Sequence, residues 1–219
     1  GFAQRFEEIL RGRLPQEAAL DGMLRALALA QRESAASLSA VWAASPTEIA
    51  RRLARIVLHA PYLAATQPDA LAWLVTRAAE DLDTPFDTAR IDAELEAALA
   101  GECDDPLRAL RRVKYRHLAR ITARELDLDR IPDEREPEIL AELSGLADCL
   151  LRRSLALADA RLRARYGEPA PSELRGFVVL AFGKLGAGEL NYSSDVDLVY
   201  VFDGARDAAA LGLPPTGPE

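Results

Sequence analysis

Two hydrophobic periods divide the chain. From residue 2 to about residue 172 apolar positions recur at helical spacing; from Phe177 they gather into two short continuous runs. The spacing predicts a helix over Phe2–Arg11, stopped by Gly12 and Pro15, and a second over Gln16–Ala44 with Ser34–Ser39 as its candidate break. Ser45-Pro46-Thr47-Glu48 is a helix start, with a Ser cap, Pro in the first turn and Glu three residues after the cap. The helix it opens carries Ile49, Leu53, Ile56 and Val57 on one face. Pro61 and Pro68 punctuate a turn, after which helices are predicted over Asp69–Leu82 and Asp87–Ala100, the latter closed by Gly101. Asp105 caps another over Pro106–Leu126. Glu125–Glu136 reads as an acidic surface loop, and the longest helix starts at Pro137 and stops at Gly167. Past the connector Pro169-Ala170-Pro171 the pattern turns strand-like. The chain is therefore expected to be α+β, with a predominantly helical region over 1–172 and the first strands of a second domain over 173–219.

The second region carries the candidate chemistry. Phe177–Phe202 reads FVVLAFGKLGAGELNYSSDVDLVYVF: an apolar run, a glycine-bearing turn, and a second apolar run containing Asp195 and Asp197. Such runs read as buried β-strands. Residues two apart on a strand share a face, so both carboxylates are expected to point one way. Two adjacent carboxylates repel and are costly to desolvate without compensation; a divalent cation with oxygen ligands, Mg²⁺ above all, supplies it. The competing reading is a pair of strand-end aspartates capping a neighbouring loop. Gly183-Lys184-Leu185-Gly186-Ala187-Gly188 is neither a Walker A loop nor a dinucleotide fingerprint. Gly183 and Gly186 would let backbone amides approach phosphate oxygens, and Lys184 either adds charge there or is a solvated lysine. Ser194 either offers its hydroxyl to phosphate or caps the turn.

Composition narrows the classes. The chain has 219 residues, 49% hydrophobic and 28% charged, with a formal net charge of -8, which argues against a general nucleic-acid binder. No apolar run reaches the length of a membrane span, and the first residues lack a signal-peptide pattern. Cys103 and Cys149 are the only cysteines and form no CxxC pair, so neither a disulfide framework nor a zinc site is expected and a reducing cytoplasm is the default. His59 and His117 fall on separate helices, and Trp42 and Trp73 read as core. The helix over Pro106–Leu126 bears Arg108, Arg111, Arg112, Lys114, Arg116, Arg120 and Arg124. Most of these charges read as a solvated face, with one or two arginines as candidates to meet phosphate.

Gly183, Lys184, Leu185, Gly186, Glu189, Leu190, Ser194, Asp195 and Asp197 together resemble the signature of the bacterial glutamine synthetase adenylyltransferases, also called adenylyl-removing enzymes. Ala187 stands where that family usually has Gly. Leu110–Ile121 is similar to the basic helix upstream of the family motif. The resemblance implies a DNA polymerase β-like nucleotidyltransferase domain preceded by helices. In it Asp195 and Asp197 are catalytic and hold two Mg²⁺ ions, and Gly183, Lys184, Gly186 and Ser194 bind nucleotide or phosphate. Asn191 resembles the N-terminal, deadenylylating half, since the adenylylating half more often has Gly there. That half removes AMP from adenylylated glutamine synthetase with inorganic phosphate and releases ADP; the alternative is the ATP-dependent adenylylating half. The implied partners are glutamine synthetase, phosphate and ADP or ATP, and a nitrogen-signalling PII-type protein, with no nucleic acid and no membrane. The third carboxylate of the superfamily is expected beyond Glu219, because Asp207 and Glu219 lack a strand-like context, so this chain alone is expected to be catalytically incomplete. A helical docking module with an idle motif, or another protein-modifying nucleotidyltransferase, would share these features.

Overall fold

The computed structural model describes residues 6, 8, 10, 11, 15–44, 46–77, 84–101, 104–126, 132–167 and 177–202, with the backbone alone at 33–44, 46, 48 and 132–134. Among the described residues, these helices precede a hairpin: α1 Glu17–Ala44, α2 Pro46–His59, α3 Pro61–Thr66, α4 Pro68–Thr76, α5 Thr88–Gly101, α6 Pro106–Glu125 and α7 Pro132–Tyr166. Then come β1 Phe177–Phe182, a single turn α8 Gly183–Gly186, and β2 Asp197–Phe202. Helices with one small antiparallel sheet give the α+β composition that the two hydrophobic periods predict.

Start signals explain most boundaries. The Asp105 carboxylate accepts from the Arg108 amide at 2.9 Å and Asp87 from the Arg90 amide at 2.8 Å, each satisfying an orphan N–H at a helix start. Gly167, at φ +86, ends α7, its amide closing on the Arg163 carbonyl at 2.8 Å. Four expectations fail. The helix over residues 17–44 runs unbroken through Ser34–Ser39. Pro61 and Pro68 do not merely mark a turn; each opens a helix, since Pro costs nothing where the first N–H has no intrahelical partner. The long helix begins at Pro132 rather than Pro137, which lies inside it. The stretch read as an acidic surface loop therefore contributes its first turns, and Arg135 is buried, donating to the Arg124 carbonyl. The expected helix end at 78–82, the Ser45 cap, the connector at 169–171 and the tail from 204 lie outside the described residues.

Two apolar clusters hold the helices. The first joins Met23 and Ala26 of α1, Leu53 and Ile56 of α2, and Leu71 and Leu74 of α4 to Ala119 and Ala123 of α6. The second joins Ile91 and Leu95 of α5, Leu110 and Val113 of α6, Leu143 and Leu146 of α7, and also Leu185 and Leu190 of the hairpin connection. Helix α6 thus serves both clusters. Trp73 is core, as expected, and His117 is fully buried, its ring against Trp73 and Phe86 and its Nε2 3.3 Å from Glu94. His59 is exposed. Cys149 is a free, buried thiol, held up by burial from its ordinary value.

The two arginines nearest the end of α6 are not solvated. Arg120 and Arg124 are 0% and 1% exposed, and both donate to the Glu142 carboxylate of α7. Glu142 Oε1 also accepts the Phe86 amide at 3.0 Å, while Arg120 reaches the Thr84 carbonyl and stacks its guanidinium 3.6 Å over the Phe86 ring. Arg108, Arg111 and Lys114 are exposed, as a solvated face requires.

The strands are not buried as expected. With two strands the sheet cannot cover itself: Val178, Leu180, Phe182, Val199 and Val201 on one face are 42–53% exposed. On the other face Phe177, Val179, Ala181, Leu198 and Tyr200 look across a cleft of about 840 Å³ at Leu151, Leu155 and Leu162 of α7. Among the described residues no helix is long and apolar enough to cross a membrane.

Two outcomes test this packing. Glu142→Gln leaves two buried cations short of their anion and is expected to lower unfolding free energy by about 3–5 kcal/mol in urea titrations. Glu94 lies below its ordinary 4.5: burial raises it, but the His117 hydrogen bond and charge outweigh that. A depressed carboxylate stabilises the fold above its unfolded value and loses that contribution as pH falls through the folded one. Wild-type and Glu94→Gln stabilities should therefore differ near neutrality and converge below 4.5, read by unfolding from about pH 6 to about pH 3.

Candidate functional site

The hairpin register builds the site. Strands β1 and β2 pair from Phe177↔Phe202 to Phe182↔Asp197. The last pair sets Asp197 beside the point where β1 gives way to the glycine turn. Gly183 has φ +58, and a Cβ there would lie 2.6 Å from Asp197 Oδ2. The missing side chain thus serves twice: it permits a left-handed backbone and it leaves space that the carboxylate fills. Strand β2 begins at Asp197, so Asp195 lies in the preceding loop rather than on the strand, and the two-residue strand period does not govern its direction. Both aspartates are exposed.

The one-turn helix α8 carries Lys184, exposed, and Leu185, which is buried in the second cluster. Leu190 is buried in the same cluster, so roughly 1.5–3 kcal/mol of apolar burial at each of two side chains anchors the turn to the helical body. Between them the backbone closes on itself, Gly188 N–H to Leu185 O at 3.0 Å and Glu189 N–H to Lys184 O at 2.7 Å. Ser144 of α7 accepts the Leu190 amide at 3.0 Å and donates to the Leu140 carbonyl at 2.8 Å.

Asn191 organises the loop that leads into β2. Its Oδ1 accepts the Ser194 hydroxyl at 2.7 Å and the Ser193 amide at 3.2 Å, and its own amide donates to Ser194 Oγ at 3.3 Å. The single proton of Ser194 is therefore used within the loop, which is the capping arrangement; its remaining acceptor capacity faces no such claim. Tyr192 is 43% exposed overall, yet its hydroxyl end packs against Thr122 and Glu125 of α6. Burial of that end pushes the phenol up, so it stays protonated.

The aspartates suit a hard cation by donor type, and the cradle at Gly183 keeps one of them against the glycine turn. Among the described residues no three His, Cys, Asp or Glu side chains converge on a common point, so these residues supply two carboxylates. Of the basic residues on α6, those toward the end that meets Tyr192 are tied to Glu142, while Arg108 stands fourteen residues from Thr122, about 21 Å along the helix. Ser144, Glu142 and the anchoring of Tyr192 escaped the sequence reading. A signal existed for the second: positions 139, 142, 146 and 149 of α7 follow a core spacing, and a charge at 142 interrupts it.

Comparison with known proteins adds an independent finding. A family model described as glutamate-ammonia ligase adenylyltransferase matches residues 50–212. A bifunctional glutamine synthetase adenylyltransferase/adenylyl-removing enzyme of Burkholderia pseudomallei is 36% identical over 165 residues, covering 73% of this chain and 17% of that protein. A protein of the same description from Cutibacterium acnes is 42% identical over 107 residues, 49% of this chain and 10% of its own length. The chain thus spans about a sixth of the length of such relatives.

Filling the Gly183 cradle tests the geometry. Gly183→Ala combines a left-handed penalty of roughly 1–2 kcal/mol with overpacking against Asp197. It is expected to lower stability by about 2–4 kcal/mol in urea unfolding. Gly101→Ala, whose Cβ meets nothing within 4 Å, should not destabilise.

Proposed function

The chain belongs to the glutamate-ammonia ligase adenylyltransferase family, and on that premise we propose that it carries part of a nucleotidyltransferase centre that removes AMP from adenylylated glutamine synthetase by phosphorolysis. The observation that carries this reading is the Asp197 carboxylate seated on Gly183 at the opening of a glycine turn. Carboxylates and backbone amides at one strand end are what a phosphoryl group needs from a protein: ligands for a cation and hydrogen-bond donors for its oxygens.

In this reading Asp195 and Asp197 hold Mg²⁺, Gly183 and Gly186 present backbone amides to phosphate, and Lys184 adds a positive charge above the turn. Ser194 keeps Asp195 in place through Asn191 and has one lone pair left for the site. When bound, Mg²⁺ supplies neutralisation of charge on the phosphoryl oxygens. An oxygen of inorganic phosphate attacks the adenylyl phosphorus, the bond from phosphorus to the tyrosyl oxygen breaks, and ADP leaves while the phenol regains its proton. The work of the chain is alignment and charge placement. A polymerase β-like sheet, a third carboxylate, a cytoplasmic setting and control by a PII-type protein are further parts of this proposal.

The choice of the deadenylylating half rests on the resemblance at Asn191, whose side chain here accepts from Ser193 and Ser194. The relatives' printed names join both activities, which keeps transfer of AMP from ATP as the second reading. The deciding assay uses the chain within its full-length protein, with adenylylated glutamine synthetase, Mg²⁺ and phosphate. Phosphate-dependent ADP release is expected, falling about 1,000-fold in Asp195→Asn or Asp197→Asn, the equivalent of about 4 kcal/mol. ADP release unchanged in both variants, with AMP transfer from ATP onto unmodified glutamine synthetase lost in them, would assign the second reading instead.

A further inference from the structure

Ser144 is a buried residue, 6% exposed, on the helix face that also carries Leu140. For packing alone an alanine would serve. The hydroxyl does something else: its proton goes to the Leu140 carbonyl one turn back, at 2.8 Å, which fixes the rotor. A lone pair then faces the Leu190 amide, 3.0 Å away on a different segment of the fold. This hydrogen bond lies in a buried setting, where an orphaned amide is costly.

Leu190 is the last apolar anchor before the aspartates. The next residue, Asn191, orders Ser193 and Ser194 through its side chain, and Asp195 comes directly after them. Two hydrogen-bonded groups, joined by the Leu190–Asn191 peptide bond, therefore lead from the interior of α7 to the residue before the first carboxylate. We propose that Ser144 is a positioning residue for the aspartate loop: its hydroxyl fixes the Leu190 amide and thereby the placement of Asp195 relative to Asp197. This inference rests on the reading of the two aspartates as a cation site, and assigns a residue outside the motif to it.

The test uses hydrogen-exchange mass spectrometry on the full chain, with wild type, Ser144→Ala and Ser144→Thr, and a parallel titration with Mn²⁺ alone followed by its paramagnetic signal. Exchange over 187–197 should rise about tenfold or more in Ser144→Ala, with residues 46–76 unchanged. The Mn²⁺ midpoint should rise several-fold in the same variant, and Ser144→Thr should restore both. Equal exchange in Ser144→Ala and wild type overturns the inference. So does a rise that spreads through residues 46–76, or one that Ser144→Thr fails to reverse, since either marks a packing site. A Mn²⁺ response identical in wild type and Asp195→Asn counts against the cation site itself, and the exchange result still decides whether Ser144 holds the loop.

Discussion

The Glu142 carboxylate is the constraint on which the helical body turns. It accepts from Arg120 and Arg124 of α6 and from the Phe86 amide ahead of α5, so one side chain of α7 fixes three segments at once. A buried ion pair adds little net stability compared with apolar packing, because desolvation opposes the attraction. Its effect is on specificity. With two guanidinium groups to satisfy, α6 and α7 have one acceptable register, whereas a stripe of leucines would tolerate several. Burial draws Arg120 down from its ordinary value and the Glu142 carboxylate counters it.

That fixed register matters because the motif segment has little support of its own. Two strands leave both sheet faces partly open, and the order of the connection between them comes from the helices: Leu185 and Leu190 in the second cluster, Ser144 beneath the Leu190 amide, Thr122 and Glu125 around the Tyr192 hydroxyl. Two of these contacts come from α7 and α6 within a turn of the ion network. Placement of the aspartates is therefore a property of the helical body as much as of the hairpin.

Elements whose signals are local were legible in the sequence. Asp105-Pro106, Gly167, the two strands and the glycine turn each arise from the chemistry of one to four residues. Features that depend on a partner element were not. Arg120 and Arg124 look like the other basic residues of α6 until Glu142 is placed opposite them. Pro137 looks like a helix start because the missing donor of an interior proline is tolerated only in context. The strand pair was legible as strands but not as exposed ones, since exposure depends on what packs against a face. For the site, Asp197 and Gly183 were each recognisable, while their contact required the register that sets Phe182 opposite Asp197.

Helix α7 is a single rod of 35 residues, about 50 Å long at the usual rise. Its first half is clamped at Glu142, and its second half forms the far wall of the cleft beside the hairpin. Past that point the rod is still held to α5, by Arg152 to Asp92 and by Arg153 to Asp92 and Glu96. Tyr166 lies thirteen residues beyond Arg153, so a tilt of about 5° there carries that end through about 2 Å. Leu155 and Leu162 of the cleft wall lie on that same overhanging stretch, so a small change in its packing angle alters the distance between α7 and the hairpin.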